Sequence, residues 1–304
     1  MLGAAGVLYK LQELISKVDV LNSKGEVGRI VFPLDPARPS YGVNSGEMLY
    51  YLQHSLVSIC SAELIAKKLC FCEDKFKEVQ VFKNVTLDSQ AAVAVDPLTK
   101  VIVVSYRMTV SDENWVTNYK DMLVSHPLLD AQEKVHQGYL EYSQSLHRQL
   151  EPAVLSLLAN PKYLGYGLHI TGYSLGASAA AISLPIWKDL LTRQGLQNKM
   201  QMFTYAGPRP GNIEFSLYLD TLGIPIARYA KQGDVVPHVP DQSAGYSQVG
   251  LEFYDVGIPL IKKDITRCAA NAVEDANCGL SDSKFLVIHH LTPFQSPLPV
   301  PPFC

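Results

Sequence analysis

Ser174 lies in a pattern that can expose a reactive hydroxyl. It is the central residue of Gly172-Tyr173-Ser174-Leu175-Gly176, a G-x-S-x-G motif. The short apolar stretch 167–171 before it predicts a buried strand, and the small residues 177–184 after it predict a helix. A sharp turn from strand to helix strains its central residue and raises that side chain above the sheet. The spacing therefore predicts a nucleophile elbow, against the alternative of a plain glycine-rich turn.

A serine becomes a nucleophile when a histidine accepts its proton and a carboxylate orients that histidine. In elbow enzymes the acid follows the serine along the chain, and the histidine follows the acid. Asp234 comes just after a strand predicted at 226–230, so we expect it to be the acid. Asp255, at the end of another predicted strand, is the second choice.

Three histidines follow Asp234 and could act as the base. His238 is only four residues beyond Asp234 and lies among prolines, so we expect a stiff loop residue near the pocket. His289 and His290 follow the apolar run 285–288, which is predicted as a strand. One of these two should therefore lie at the end of a strand, where the base is needed, and the spacing alone does not choose between them.

The elements that position these residues alternate between strand and helix. The remaining predicted strands cover 79–82, 91–95, 101–106 and 200–205, and the remaining predicted helices cover 46–67, 134–159 and a stretch after Asn212 up to 222. Pro152 should kink the second of these helices or divide it in two. This alternation predicts an α/β fold with a mainly parallel central sheet and helices on both faces. We expect a lead-in over residues 1–45 and a single domain over residues 46–304.

The composition is that of a globular protein, with 304 residues, 47% hydrophobic and 18% charged. A net charge of −3 and the lack of a basic run give no reason to expect a nucleic-acid partner. No apolar stretch reaches the roughly 18 residues that a transmembrane helix needs, so we expect no such segment. The apolar start of the chain lacks a basic leader and a clean cleavage site, and it is not a convincing signal peptide.

Six cysteines, an even number, favour disulfide bonds in an exported protein. Free buried thiols are the alternative. A metal site is not expected, because Cys70-Phe71-Cys72 has the wrong spacing and no histidine partners. Asn84-Val85-Thr86 is a glycosylation sequon and agrees with export.

Several further segments occur in an order that is typical of one family. These are Val135-His136-Gln137-Gly138-Tyr139, the elbow, Tyr205-Ala206-Gly207-Pro208-Arg209-Pro210-Gly211-Asn212, Gly233-Asp234-Val235-Val236-Pro237-His238-Val239-Pro240 and His290-Leu291-Thr292-Pro293-Phe294. From Gly46 to Cys304 the chain resembles the fungal class 3 triacylglycerol lipases, which are secreted, bear a lid and have an α/β-hydrolase-like fold. The register of the last segment selects His290 over His289. The resemblance thus implies Ser174, Asp234 and His290 as catalytic residues.

The resemblance also implies roles around this triad. Thr109, in the segment 104–109, and Leu175 would form the oxyanion hole, and residues 110–119 occupy the position of the lid. The apolar face of that lid would comprise Val110, Trp115, Val116 and Tyr119. An ordinary surface helix with one packed tryptophan is the alternative reading. The implied disulfide pairs are Cys60–Cys304, Cys268–Cys278 and Cys70–Cys72, the last being suspect because it closes a tight ring.

Two residues depart from the family pattern. Tyr173 replaces the usual histidine and Met108 replaces the usual glycine. Neither change removes a catalytic group, so we expect a secreted serine carboxylic-ester hydrolase, specifically a lipase acting on acylglycerols at a lipid–water interface. No metal or organic cofactor is expected. The alternatives are a feruloyl-esterase-like or cutinase-like esterase of the same fold, and a catalytically inert relative that binds lipid.

Overall fold

A computed structural model describes residues 43–59, 75–108, 122–257, 264–268 and 274–291. The strands are β1 Lys77–Asn84, β2 Ser89–Asp96, β3 Val101–Tyr106, β4 Leu123–Ser125, β5 Lys134–His136, β6 Gly167–Tyr173, β7 Met200–Tyr205, β8 Ile226–Lys231, β9 Leu251–Asp255 and β10 Ile265–Arg267. The α-helices are α1 Ser45–Leu56, α2 Gln137–Leu158, α3 Leu175–Arg193, α4 Ile213–Thr221 and α5 Val287–Leu291. Within this part of the chain, no helix is long and apolar enough to cross a membrane.

Eight strands form one sheet in the order β1-β2-β3-β6-β7-β8-β9-β10. The five central strands, from β3 to β9 in that order, are parallel, whereas β1, β2 and β10 run antiparallel to their neighbours. Strands β2, β3 and β8 are buried along their whole length, as expected when helices cover both faces. The predicted α/β fold with a mainly parallel sheet is thereby confirmed.

Alternation along β6 divides the core between the two faces of the sheet. Leu168 and Ile170 join α2 and α3 in one apolar cluster, while Tyr173 joins α1 in another. Successive side chains of a strand point to opposite faces, so α1 covers one face and α2 with α3 the other. Ser174 follows directly after β6 and thus lies at the C-terminal end of a central strand, in a sheet that is covered on both faces.

Helix α1 is fixed at its start by a capping box. The Asn44 side chain accepts a hydrogen bond from the Glu47 backbone N–H over 3.0 Å, and the Glu47 carboxylate accepts one from the Asn44 backbone N–H over 2.9 Å. At the other end, His54 lies 3.0 Å from Asp96 and 2.9 Å from His169 of β6. These buried polar contacts pin α1 to the strand that precedes the elbow.

Three predicted elements differ from the structure. The predicted helix at 134–159 begins instead at Gln137, because residues 134–136 pair with β4 as strand β5. Of the two effects expected of Pro152, division of the helix is wrong, because α2 and its buried residues Leu146, Leu150 and Val154 continue past it. The prediction of a strand at 285–288 is wrong as well, since helix α5 begins at Val287.

Candidate active site

The elbow holds Ser174 in a strained backbone conformation. Its φ is 54° and its ψ is −128°, a region that non-glycine residues rarely adopt. A Cβ at Gly172 would meet the Gly176 carbonyl, and one at Gly176 would meet the Tyr106 carbonyl. The two glycines are therefore required by the close approach of backbones on both sides of the turn, which presses the start of α3 against the end of β3.

Three side chains from distant parts of the chain meet at this turn. Ser174 Oγ lies 3.0 Å from His290 Nε2, and His290 Nδ1 lies 2.9 Å from Asp234 Oδ2. All three residues are buried, Asp234 completely. A carboxylate accepts the Nδ1–H proton, which leaves Nε2 as the acceptor for the serine hydroxyl. The arrangement can thus move a proton from Ser174 to His290.

Asp234 reaches this position from the loop after β8, two strands away from the serine. Its Oδ1 also accepts the Val236 backbone N–H over 3.0 Å. Gly233, the residue before Asp234, is held by a separate hydrogen bond. Its backbone N–H donates to Asp282 Oδ2 over 2.9 Å. Asp282 accepts a further bond from the Tyr254 hydroxyl, and His238 Nε2 lies 3.3 Å from it. A buried carboxylate therefore fixes the loop that carries the acid.

The residues that competed for these positions have other partners. Asp255 accepts hydrogen bonds from the Tyr229 hydroxyl, over 2.6 Å, and from the Gly257 backbone, over 2.9 Å. His289, next to the histidine of the site, lies close to Gly233, and burial lowers its pKa. His238 contacts the Phe285 ring edge-on besides Asp282. The structure thus brings Asp234 and His290, and not these rivals, to Ser174.

Leu175 is the first residue of α3, where backbone N–H groups have no intrahelical acceptor. Such N–H groups can stabilise an anion in front of the helix. The segment that leads to Thr109 is anchored beside them. In this segment, the backbone N–H of Arg107 donates to the Gln90 carbonyl over 2.9 Å. The carbonyl of Arg107 accepts a hydrogen bond from the Tyr142 hydroxyl over 3.1 Å. Thr109 itself lies outside the described residues.

Several other sequence expectations fall partly or wholly outside the described residues. These are the lid residues Val110, Trp115, Val116 and Tyr119, and the cysteines Cys60, Cys70, Cys72 and Cys304. Cys268 and Cys278 are described and form a disulfide bond. Asn84 ends β1 at a partly exposed position, with its side-chain oxygen accepting the Thr86 N–H over 3.0 Å. In the described part of the chain, no cluster of three or more His, Cys, Asp or Glu side chains is suited to a metal ion.

Two contacts of the site were not predicted from the sequence. Asp282 belongs to no motif in the sequence, yet it accepts the Gly233 N–H and so holds the loop of Asp234. Tyr173 was noted only as a departure from the family pattern, yet its hydroxyl donates to the His290 carbonyl over 2.5 Å. Both bonds join residues that are far apart along the chain, and no local motif marks them. The one sequence feature that points to either contact is the tyrosine at 173, where the family usually has histidine.

The chain is similar to known lipases. A family model described as lipase (class 3) matches residues 103–244. A lipase of Rhizomucor miehei is 27% identical over 255 residues, which cover 82% of this chain and 68% of the relative. A lipase of Rhizopus niveus is 30% identical over 227 residues, which cover 72% of this chain and 54% of the relative. The chain thus spans little more than half the length of the Rhizopus protein.

A third relative is the secreted mono- and diacylglycerol lipase 1 of Fusarium solani, 27% identical over 261 residues that cover 81% of this chain and 75% of the relative. Among solved structures, a triacylglycerol lipase described as having a serine protease triad in its catalytic centre superposes with a TM-score of 0.70. It is 27% identical, and the match covers 83% of this chain and 96% of that one.

Proposed function

The chain belongs to the class 3 lipase family, and from that premise we propose that it is a serine carboxylic-ester hydrolase, specifically a lipase that hydrolyses acylglycerols. One observation carries the proposal. The hydroxyl of Ser174, the imidazole of His290 and the carboxylate of Asp234 form an unbroken chain of contacts of 3.0 and 2.9 Å. That chain is what nucleophilic attack on an ester carbonyl requires.

In the proposed reaction, His290 accepts the Ser174 proton as Oγ attacks the ester carbonyl carbon. The carbonyl oxygen becomes an oxyanion, which the backbone N–H of Leu175 and the backbone N–H and hydroxyl of Thr109 would stabilise. His290 then gives its proton to the leaving alcohol, and the fatty acyl group stays on Ser174. A water molecule, deprotonated by His290, attacks the carbonyl carbon of this acyl-enzyme. His290 then returns that proton to Ser174 Oγ as the bond to the acyl carbon breaks and the fatty acid leaves.

Asp234 keeps the proton of His290 on Nδ1 and stabilises the imidazolium that forms in both steps. It can do so because it is fully buried and its second oxygen is satisfied by the Val236 N–H. Every proton in the cycle moves between groups of the chain, the substrate and water. The proposed steps thus use only residues of the chain, the ester and one water molecule.

We further propose that residues 110–119 form a lid and that the enzyme works at a lipid–water interface. Exposed apolar side chains are neighbours in sequence of His290 and of the proposed lid. Leu286 and Ile288, which precede His290, are 57% and 49% exposed, and Met122, which follows the proposed lid, is 64% exposed. Exposed apolar side chains of this kind favour contact with lipid. Turning the apolar face of 110–119 towards lipid would open the serine to substrate.

Secretion is part of the proposal. The Fusarium relative is named as secreted, and the Cys268–Cys278 disulfide is a bond that persists in oxidising compartments. The pairs Cys60–Cys304 and Cys70–Cys72, and glycosylation at Asn84, belong to the same proposal. We also propose that residues 46–304 form one domain preceded by a lead-in at 1–45.

The test compares hydrolysis of tributyrin, an olive-oil emulsion and a feruloyl ester by the wild-type protein and by Ser174→Ala. We expect hydrolysis of both acylglycerols, a rise in rate once tributyrin exceeds its solubility, and complete loss in Ser174→Ala. Ser183→Ala is the matched control, since its buried hydroxyl lies in α3, the helix that Ser174 precedes, and bonds the Ala180 carbonyl and Tyr106 rather than His290. Preference for the feruloyl ester would replace lipase by feruloyl esterase. Turnover that survives Ser174→Ala would refute the mechanism.

A further inference from the structure

Tyr173 connects the strand of the serine to the backbone of the histidine. It is the last residue of β6, directly before Ser174, and its side chain is almost fully buried. Its hydroxyl donates to the His290 carbonyl over 2.5 Å, and the two rings lie 5.5 Å apart between centroids. The residue next to the nucleophile therefore holds the main chain of the base.

The helix that carries His290 is too short to hold its own position. Helix α5 has five residues, and isolated helices of that length are not stable in water. The last four carbonyl groups of any helix also lack intrahelical donors. His290 is the penultimate residue of α5, so its carbonyl must find a donor elsewhere. Tyr173 supplies that donor from the rigid central sheet.

The donor keeps its proton over the range in which an esterase works. Burial raises the pKa of the Tyr173 hydroxyl well above its usual value of 10, and the nearby charge of Asp234 raises it further. Removing the proton would place a second negative charge beside that buried carboxylate. The Tyr173 hydroxyl therefore remains a donor to the His290 carbonyl throughout this pH range.

Tyr173 and Met108, the two departures from the family pattern, lie in the same part of the core. Tyr173 belongs to the apolar cluster between α1 and the sheet, and Met108 and Leu291 pack against that cluster. Leu291 follows His290 directly. The two exchanges thus fall in or against one apolar cluster, which Leu291 of α5 also contacts.

We propose that Tyr173 is a positioning residue for ester hydrolysis. Its hydroxyl fixes the His290 main chain so that Nε2 stays aligned with Ser174 Oγ. This inference rests on the proposed function of the triad, because alignment matters only if the serine reacts. Tyr173 touches neither the substrate nor the reacting atoms and acts through His290.

The test is Tyr173→Phe, which keeps the ring and removes only the hydroxyl. On a soluble short-chain ester we expect kcat to fall about 10- to 100-fold, since a misplacement of about 1 Å costs rates of this order. KM should stay within about two-fold, because the bond does not involve substrate binding. Melting temperature and circular dichroism are measured alongside, so that the rate refers to folded protein.

Tyr205→Phe is the matched control. Tyr205 pairs with Tyr173 in register on β7, is equally buried, and donates its hydroxyl to a backbone carbonyl, that of Met48 in α1, over 2.7 Å. We expect a similar loss of melting temperature with kcat unchanged. An equal fall of kcat in both variants would mean a general effect of core packing, and an unchanged kcat in Tyr173→Phe would overturn the proposal directly.

A readout that needs no turnover separates this proposal from the proposed function. The His290 Nδ1 proton, shared with Asp234, gives a low-field proton NMR signal that His290→Ala identifies by its absence. We expect Tyr173→Phe to shift or broaden this signal and Tyr205→Phe to leave it in place. If wild-type turnover survives Ser174→Ala, the proposed function fails whatever the NMR signal does. An unshifted signal in Tyr173→Phe with normal kcat refutes the positioning role alone.

Discussion

Ser174 is held in a conformation that costs free energy. A non-glycine residue at φ 54° and ψ −128° is strained by about 1–3 kcal/mol, so the surrounding contacts must impose it. They do so through Gly172 and Gly176, where any larger residue would collide with backbone. The strain has a structural effect, because it turns the hydroxyl out of the sheet towards His290. Neither glycine can be exchanged without moving the serine.

The carboxylate of Asp234 gives the sharpest test among single residues. In Asp234→Asn we expect kcat on a soluble ester to fall by roughly 10⁴-fold, because an amide no longer selects the Nδ1–H tautomer of His290. Asp255→Asn is the matched control, since Asp255 is equally buried but bonds Tyr229 and Gly257 instead. We expect that variant to lose stability and keep its kcat per folded molecule. If kcat fell in Asp255→Asn and stayed normal in Asp234→Asn, Asp255 would be the acid instead.

The sequence predicted the residues of the triad better than the contacts that hold them. Ser174 and Asp234 each follow a strand that an apolar run predicts. Their position at the C-terminal ends of the central strands can therefore be inferred. The bond from Tyr173 to the His290 carbonyl spans 117 positions and involves a backbone atom, which carries no side-chain signal. Asp282 is equally unmarked, because a carboxylate in a loop is usually exposed. The structure buries it against Gly233 and Tyr254.

Among the elements, the central strands were predictable and the last helix was not. The run 200–205 is β7 as predicted, and 226–230 is β8 with one residue added. The apolar run before His289 was predicted as a strand, but a short apolar run does not distinguish a strand from a buried helical turn. Leu286 and Ile288 are in fact exposed, so these apolar residues do not build a strand in the core.

The Cys268–Cys278 disulfide stabilises the segment from which Asp282 reaches the loop of the acid. It closes a loop with a sequence separation of 10 residues. We expect the double variant Cys268→Ser/Cys278→Ser to lower the free energy of unfolding by about 3 kcal/mol, through the entropy that the unfolded chain regains. Urea denaturation measures this difference, with coincident transitions by fluorescence and circular dichroism as the control for two-state unfolding. An unchanged midpoint would show that the bond does not restrain the unfolded chain.

At the scale of the molecule, the sequence predicted the class of fold but not the order of strands. Alternating strands and helices indicate a parallel sheet, and five central strands are parallel. The antiparallel pairings of β1, β2 and β3 follow from short connections, such as the turn between β2 and β3. That β3 pairs with β6 could not be inferred, because the pairing depends on packing between distant segments.

Buried histidines are distributed through the whole described structure. Burial lowers the pKa of His54, His126, His147, His169 and His289. For His126 the value falls from 6.5 to about 4. The unfolded chain therefore binds protons below pH 6.5 that the folded protein does not bind. Stability is fully present above pH 6.5 and is lost as the pH falls towards the folded pKa values.

We therefore expect the free energy of unfolding to decrease between pH 6.5 and pH 4, by up to about 1.4 kcal/mol per pH unit for each extra proton bound. Urea denaturation at a series of pH values measures this slope. In His126→Gln the slope should be smaller by about one proton, since glutamine does not titrate. Between pH 7 and 8.5 both proteins should have the same slope. Equal slopes below pH 6.5 would contradict the role of His126.

The meeting of Ser174 and His290 has a consequence for biosynthesis. The two residues are 116 positions apart, with the hydroxyl made first. At a translation rate of about 5–20 residues per second, the growing polypeptide carries the serine for several seconds before its base exists. A nascent or prematurely terminated chain thus has no means of deprotonating the nucleophile. A chain that ends before residue 290 therefore cannot complete the Ser174–His290–Asp234 contacts, however well the elbow itself folds.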